Sequence, residues 1–342
     1  MSFSVGIVGL PNVGKSTLFK ALTKKPVDIA NYPFTTINPN IGVVAVLDQR
    51  LEKIAEITKP EKITPTIIEF VDIAGLVRGA HQGQGLGNQF LAQIRNCDAI
   101  LEIVRAFKDP DVEHTTGEVD PEKDIEVIKT ELLMKDLETI ENIIPKIEKD
   151  SKGDKKFLKK IDLIKRVKII ISEGKLISEV NLNDEEKLEI KEYQFLTAKP
   201  ILYILNSDGT VKDLKFEHLV MNLREEEEFS DFSENDFQEL GIKSYLDQLI
   251  TFCYNILDLI TFYTIAGGKE TRAWTVKKGA LAPEAGGKVH SDFEDKFIKA
   301  EVIDWESLIR AESWHKAREL GMIKTTGKDY IVEDGDVIEF KI

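Results

Sequence analysis

Cysteine is scarce in this 342-residue chain, which contains only Cys97 and Cys253. Two cysteines are too few for a disulfide framework or a cysteine-based metal site, and such scarcity is typical of a reducing compartment. Long apolar runs are also missing, since none approaches the roughly 18 residues that a membrane helix requires. The N-terminus leads directly into an apolar strand and a glycine loop, without the pattern of a signal peptide. We therefore expect a cytoplasmic protein that does not enter membranes.

Positive charge is in short supply as well, because 46 Lys and Arg face 60 Asp and Glu and the net charge is -14. This balance argues against a protein whose whole surface wraps a nucleic-acid backbone. Residues 146–175 differ, since they carry eleven basic and five acidic side chains. Residues 225–239 contain eight acids, which we interpret as a solvated acidic helix or loop. Residues 146–175 therefore form a basic segment within an otherwise acidic chain.

Four short apolar runs, each bounded by turn residues, indicate buried parallel strands. They cover residues 5–8, 67–71, 100–104 and 201–205. Helical patterns separate some of these runs, and the alternation of strand and helix predicts an α/β fold. The sequence shows no internal repeat and no low-complexity linker.

The stretch from residue 123 to 196 is long, charged and rich in Ile, Leu, Glu and Lys. Its apolar residues recur at three- and four-residue spacing, which predicts helices. Residues 151–154 interrupt the pattern, so we expect two antiparallel helices that meet at a tip near 151–156. A further helix is expected around 184–196. The basic segment falls on the tip and on the returning helix.

From about residue 260 the pattern changes to short alternating segments separated by glycine-containing turns. The segments include residues 271–276, 330–332 and 337–340. Alternation of this kind predicts strands, and its combination with glycine turns is typical of a small mixed α+β domain.

The stretch GLPNVGKST, residues 9–17, follows the first apolar run and leads into an apolar helical pattern. Its Gly-x-x-x-x-Gly-Lys-Ser spacing matches the phosphate-binding loop, in the required context of a strand before it and a helix after it. In such a loop the backbone N–H groups surround the phosphates, the lysine contacts the β- and γ-phosphates, and the serine hydroxyl binds Mg²⁺. We expect nucleotide contacts from Asn12, Val13, Gly14, Lys15, Ser16 and Thr17.

A second part of the same site is expected at Asp72-Ile73-Ala74-Gly75, directly after an apolar run. An aspartate at this strand end can hold Mg²⁺ through water, and the N–H of Gly75 can contact the γ-phosphate. Between the two motifs lies NYPFTT, residues 31–36, where the hydroxyl of Thr36 can complete the Mg²⁺ shell. Together the three parts favour a molecular switch over a metabolic kinase.

Several motifs resemble the YchF family, the Obg-related ribosome-associated nucleotide hydrolases. They are GLPNVGKST, NYPFTTINPNIG, FVDIAGLVRGAHQGQGLGNQFL, AWTVKKGALAPEAGGKVHSDFE and DYIVEDGD, and the likeness covers nearly the whole chain. The resemblance implies a Ras-like P-loop nucleotide domain over residues 1–122 and 197–260, a helical coiled-coil insertion over 123–196 and a C-terminal TGS domain of β-grasp shape over 261–342. It also implies ATP in preference to GTP, Mg²⁺, and binding to ribosomes.

The base-reading position departs from the family pattern. GTP-specific relatives carry Asn-Lys-x-Asp after a strand, where the last carboxylate accepts hydrogen bonds from guanine, and YchF proteins resemble Asn-x-x-Glu at this place. Here the residues are Asn206, Ser207, Asp208 and Gly209, so the fourth position has no carboxylate. We expect Asn206 and Ser207 to contact the nucleotide, with Asn206 pairing with a purine, while Asp208 stands one residue early. The pattern favours adenine, or a loose choice of base, over guanine.

The hydrolytic step lacks a familiar group as well. Many switch GTPases carry a water-orienting glutamine directly after Asp-x-x-Gly, but Leu76 stands there in this chain. The YchF resemblance favours a histidine from the loop after the run 100–104, which is His114. Asn12 is a second candidate, because it can bind a monovalent cation such as K⁺ that adds positive charge to the transition state. Further candidates are Gln82 and Gln84 on the glycine-rich loop, and Arg78 as an internal arginine finger.

The function that these features favour is an ATP-hydrolysing regulatory switch. Its nucleotide state would control docking on the ribosome, through ribosomal RNA or a large-subunit protein, with the basic helical tip and the TGS domain as contact surfaces. A GTPase of the same fold and partner is one alternative, and a nucleotide-sensing adaptor that binds another protein is a second. We expect the protein to act as a monomer.

Overall fold

The computed structural model describes residues 3–24, 40–73, 86–109, 119–151, 155–209, 214, 216–232, 234–265 and 267–342. Numbered in chain order, the strands are β1 (Phe3–Val8), β2 (Ile41–Ala45), β3 (Lys62–Thr64), β4 (Ile67–Asp72), β5 (Ala99–Arg105), β6 (Ile201–Asn206), β7 (His218–Met221), β8 (Leu259–Ile265), β9 (Glu270–Lys277), β10 (Lys299–Asp304), β11 (Lys324–Thr326) and β12 (Asp336–Lys341). The helices are α1 (Lys15–Thr23), α2 (Gln49–Thr58), α3 (Leu86–Asn96), α4 (Pro121–Ser151), α5 (Lys155–Ser172), α6 (Asp184–Lys191), α7 (Leu223–Phe229), α8 (Glu234–Leu240), α9 (Leu246–Ile256), α10 (Ala282–Val289), α11 (Ser291–Asp295), α12 (Trp305–Ala311) and α13 (Trp314–Glu319).

The first sheet has six strands in the order β2-β4-β1-β5-β6-β7. The strands β4, β1, β5, β6 and β7 run parallel, and β2 pairs antiparallel with β4 at one edge. Strand β5 is buried along its whole length, as expected for a central strand covered on both faces. The four parallel strands predicted from the apolar runs are therefore confirmed, and their carboxyl ends meet at one edge of the sheet.

The helical insertion projects from the first sheet between β5 and β6. Ion pairs join Lys165 of α5 to Glu148 of α4, and Lys168 to Glu141, so the two helices run antiparallel. Their apolar faces pack into one core with α6 and the segment that leads to β6. The expected helix around 184–196 ends earlier than predicted, because α6 stops at Lys191 and a separate 3₁₀ helix follows at Leu196–Ala198.

The second sheet also has six strands, in the order β11-β10-β12-β8-β9-β3. One face packs against α10 and α11, and the other packs against α2, α12 and α13. The expected alternating segments at 271–276 and 337–340 are strands β9 and β12. The prediction of a strand at 330–332 was wrong: Ile331 makes a single bridge to Leu281 and the chain there forms no ladder.

Strand β3 and helix α2 belong to the second sheet although they lie early in the chain. Strand β3 runs parallel to β9 at the edge of that sheet, and Leu51 and Ile54 of α2 are buried in the same core as Tyr263. Residues 49–64 were expected within the nucleotide domain. They pack instead on the C-terminal sheet, because that is where their apolar side chains are buried.

No described helix is long and apolar enough to span a membrane.

Candidate nucleotide site

The phosphate loop lies between the carboxyl end of β1 and the first turn of α1. Gly9 has φ 156° and Gly14 has φ 108°, and both are hemmed in by neighbouring atoms. A Cβ on Gly9 would lie 2.6 Å from the carbonyl oxygen of Ile103, and one on Gly14 would lie 2.7 Å from the amide nitrogen of Asn206. Larger residues would therefore push the loop away from β5 and β6. Asn12 adopts the left-handed conformation, with φ 62°, which asparagine tolerates better than most residues.

Lys15 is buried at the centre of this loop. Its ammonium group donates to the backbone oxygens of Gly9, at 3.1 Å, and of Leu10, at 2.7 Å. Burial lowers the pKa of Lys15 to about 8, although the negative charge of Asp72 opposes that shift. The lysine is thus a poorly solvated cation, held by the loop that surrounds it. An anion such as a phosphate would stabilise its charged form.

Asp72 ends β4 beside the phosphate loop. Burial raises the pKa of Asp72, while the charge of Lys15 and a hydrogen bond from the Ser16 hydroxyl oppose that increase. The serine hydroxyl and the carboxylate are therefore neighbours, and both are hard oxygen ligands of the kind that Mg²⁺ prefers. The two predicted metal ligands that the structure describes are brought together and fit a magnesium ion.

Asn206 is the last residue of β6 and contacts both the phosphate loop and α7. Its side-chain nitrogen donates to the carbonyl oxygen of Val13 at 3.0 Å, and its side-chain oxygen accepts from the backbone N–H of Leu223 at 3.1 Å. The amide thus ties the loop to the start of α7, a structural role that the sequence analysis did not identify. One N–H of Asn206 is not used in these two bonds, so a contact with the nucleotide remains a prediction.

A cavity of about 620 Å³ lies over these residues, at the carboxyl edge of the first sheet. Nucleotides commonly bind at this edge of parallel sheets. Its lining includes seven of the predicted contacts, namely Asn12, Gly14, Lys15, Ser16, Thr17, Asn206 and Ser207, together with Asp208. Val13 is buried behind the loop. Ser207 bonds locally, because its hydroxyl donates to the carbonyl oxygen of Gly209.

Two groups of cavity-lining residues were missed by the sequence analysis. Phe107, Lys108 and Asp109 follow the end of β5, and the second group consists of the N-cap of α7, Asn222, and two residues of that helix, Arg224 and Glu227. The position of 107–109 after a predicted central strand was a usable signal, since loops at that edge meet. The second group had no such signal, because β7 is only four residues long and was not predicted. Asn222 caps α7 by accepting from the backbone N–H of Arg224.

Three predicted site residues lie outside the residues that the structure describes. They are Thr36, Gly75 and His114. The alternative candidates Arg78, Gln82 and Gln84 lie outside as well, as does Leu76 at the position of the missing glutamine. The structure therefore does not bear on the hydrolytic groups, apart from Asn12 and Lys15.

Two family models match the chain. Residues 4–144 match a family described as a 50S ribosome-binding GTPase. Residues 259–342 match the C-terminal YchF-GTPase family, which is described as a protein of unknown function. The expected fold class, a P-loop α/β domain with helical and C-terminal additions, is confirmed by the first of these matches and by the structural likeness that follows.

Relatives match along the full length. The ribosome-binding ATPase YchF of Haemophilus ducreyi is 45% identical, over 100% of this chain and 99% of the relative. The protein of the same name from Bacillus subtilis is 44% identical over the same shares. The structure of the Schizosaccharomyces pombe YchF GTPase is similar with a TM-score of 0.87 and 34% identity, over 99% of this chain and 98% of that one. With this identity over whole chains, and with the phosphate loop and Asp72 in place, the chain belongs to the YchF family.

Proposed function

We propose that this protein is a magnesium-dependent ATPase that acts as a regulatory switch on the ribosome. The observation that carries the proposal is the cavity lined by the phosphate loop and the end of β6, with Asp72 close to Lys15 and Ser16 of that loop. The chain's own groups supply most of what phosphate binding needs, since Lys15 provides a poorly solvated cation and α1 begins at the loop. Ser16 and Asp72 would hold Mg²⁺, which neutralises charge on the phosphates when bound.

The preference for adenine rests on the end of β6. Gly209 offers no carboxylate to accept hydrogen bonds from guanine, and guanine would lose them at a cost of about 1 to 3 kcal/mol. The names of the bacterial relatives also refer to an ATPase. Two observations favour the alternative of a GTPase. The side chain of Asp208 is exposed and Asp208 lines the cavity, and the relative from Schizosaccharomyces pombe is called a GTPase.

A pair of variants separates the two bases. No heavy atom lies within 4 Å of a Cβ built on Gly209, so Gly209→Asp should be accommodated without a clash. We expect it to strengthen GTP binding about tenfold to a hundredfold relative to ATP. Asp208→Asn is the matched variant, and we expect it to leave both affinities within about twofold. A selective loss of GTP binding in Asp208→Asn would instead assign guanine recognition to Asp208.

The ribosome is proposed as the partner because the names of the relatives refer to ribosome binding. Sedimentation of the protein with ribosomes in the presence of ATP, ADP or a nonhydrolysable ATP analogue tests the switch. We expect binding to differ at least severalfold between the ATP-like and ADP states. Equal binding in all nucleotide states would make the protein a binding adaptor in which hydrolysis is incidental. We further propose that the protein acts in the cytoplasm and as a monomer.

A further inference from the structure

Arg105 is a charged residue buried at the nucleotide edge of the first sheet. It is the last residue of β5, lies opposite Asn206 in the β5–β6 ladder, and is only 2% exposed. Burying a guanidinium is costly unless its donors are satisfied by hydrogen bonds. Arg105 does not line the cavity itself. Its burial therefore calls for a role other than direct contact with the nucleotide.

The contacts of Arg105 are directed at the segment that follows it. Its Nε donates to the carbonyl oxygen of Phe107 at 3.2 Å, and one terminal nitrogen donates to the carbonyl oxygen of Asp109 at 3.1 Å. The guanidinium carbon also lies 4.5 Å from the centre of the Phe107 ring, within the range of a cation–π interaction. One side chain thus fixes two carbonyls and one ring of residues 106–109.

The same segment forms part of the cavity wall. Phe107, Lys108 and Asp109 all line the cavity, between the phosphate loop after β1 and the end of β6 in the order of the sheet. The backbone N–H of Ala106 donates to the carbonyl oxygen of Asn206 at 2.8 Å, so the wall is tied to β6 at its start. Beyond Ala106, the hydrogen bonds from Arg105 hold the wall residues Phe107 and Asp109 to the end of β5.

We propose that Arg105 is a positioning residue that holds residues 106–109 in the shape that receives the nucleoside part of the nucleotide. The inference rests on the proposed nucleotide site. Without Arg105 the wall would have to be ordered when the nucleotide binds, and that ordering would reduce affinity. Ligands that reach only the phosphate loop would not meet this cost.

The test measures binding of ADP and of inorganic pyrophosphate to the full chain by calorimetry. For Arg105→Met we expect ADP to bind about tenfold more weakly, the usual scale for losing such hydrogen bonds, and pyrophosphate to stay within about twofold. Arg105→Lys keeps a buried cation and is expected to lie between Arg105→Met and the wild type. The matched control is Arg50→Met, which removes a guanidinium bonded to Asp48 and Asp334 away from the cavity, and should leave both ligands unaffected.

Amide hydrogen exchange gives a second readout that needs no ligand. In Arg105→Lys, at a temperature where it is fully folded, exchange at residues 107–109 should be faster than in the wild type, with α1 unchanged. If the wild-type protein binds ADP but does not hydrolyse ATP, the proposed function is refuted while this test can still be carried out. If the protein prefers guanine, GDP replaces ADP as the probe. Unchanged ADP affinity and unchanged exchange in Arg105→Lys and Arg105→Met would overturn the inference. Parallel loss of ADP and pyrophosphate binding would also overturn it.

Discussion

Lys15 links nucleotide binding to pH. Burial lowers its pKa to about 8 in the free protein, whereas a phosphate bound to the ammonium group would raise that pKa. Binding therefore takes up a proton between pH 8 and the higher pKa of the complex, and affinity falls as the pH rises through this window. We predict that MgATP affinity declines above pH 8 by up to about tenfold per pH unit, and that calorimetry at pH 8.5 to 9 in different buffers detects proton uptake.

Lys15→Arg is the control for this pH dependence, because a guanidinium does not titrate in the accessible range. If Lys15→Arg retains binding, its affinity should show no fall between pH 8 and 9.5. An affinity of the wild type that stays constant from pH 7 to 9.5 would contradict the account of Lys15.

His114 remains the predicted catalytic group, although it lies outside the described residues. A group that acts mainly on the attacking water lowers kcat with little change in nucleotide affinity. His114→Ala is therefore expected to bind ATP normally and to hydrolyse it about 10- to 100-fold more slowly. Single-turnover hydrolysis measures this, with Lys15→Ala as a control that should lose binding itself. Hydrolysis at the wild-type rate would shift the role to Asn12 with K⁺, which exchange of potassium for sodium would test.

The chemistry of the phosphate loop could be predicted from sequence because its residues are local and their spacing is diagnostic. The role of Asn206 could not be predicted fully. Its partners, Val13 and Leu223, lie 193 and 17 residues away in the chain, and only the folded sheet brings them together. The contacts of Arg105 needed the structure for a related reason. The sequence analysis assigned Arg105 no role, and only the structure shows that its side chain is buried.

Among the secondary-structure elements, helix α5 carries most of the basic segment. The lysines whose side chains the structure describes there differ in their surroundings, since some form ion pairs within the insertion and one does not. Lys160 forms ion pairs with Glu189 and Glu192 of the insertion, and its ammonium lies over the ring of Tyr193. Lys159 is exposed near the tip, and the structure does not describe the side chains of Lys155 and Lys156. Replacing Lys160 with Glu would therefore destabilise the insertion, and a loss of ribosome binding in that variant would not show whether Lys160 contacts the ribosome.

We predict that replacing Lys155, Lys156 and Lys159 with Glu weakens sedimentation with ribosomes. The difference from the wild type should be largest at low salt and shrink as the salt concentration rises, as expected for lost phosphate contacts, and ATPase activity in free solution should change little. The matched control replaces Lys187 and Lys191, which are exposed on α6, with Glu and should bind ribosomes as the wild type does. Unaltered sedimentation of the triple variant would mean that the tip is an ordinary solvated helix end.

The elements that sequence patterns predicted well are those with long or doubly buried apolar runs. Strands β1, β4, β5 and β6 and helices α4 and α5 belong to this group. Two of the missed strands are short and lie at sheet edges: β3 has three residues with two exposed, and β7 has four with one buried. So few buried side chains leave little periodicity to detect. Their positions depend on distant partners, such as β9 for β3.

At the scale of the whole molecule, helix α2 and strand β3 lie early in the chain but pack with the C-terminal sheet. We keep the proposed division into residues 1–122 and 197–260, 123–196, and 261–342, with α2 and β3 packed on the last unit. Arg50 binds Asp48 at 2.9 Å and Asp334 at 2.6 Å, and Tyr263 donates to Asp48. Residues from β2–β4 and from the C-terminal sheet therefore share one polar network beside a shared apolar core.

We predict that Arg50→Met lowers the free energy of unfolding by roughly 1 to 3 kcal/mol, because it removes the guanidinium that donates to both carboxylate oxygens of Asp48. Burial alone would raise the pKa of Asp48, but hydrogen bonds from Arg50 and Tyr263 outweigh burial and lower it. This stabilisation is present above the unfolded pKa and is lost as the pH falls through the lower folded value. Chemical denaturation at pH 7 and near pH 3 should show the difference between wild type and variant shrinking at the lower pH. An equal difference at both would contradict the role assigned to the carboxylate.

The choice of base tests the proposed activity most directly. Wild-type protein is loaded with a fluorescent ADP analogue and titrated with ATP and, separately, with GTP, both with Mg²⁺ and at the same ionic strength. Because Gly209 offers guanine no carboxylate, we predict a dissociation constant for ATP about tenfold to a hundredfold lower than that for GTP. A dissociation constant for GTP lower than that for ATP would contradict the assignment of this protein as an ATPase.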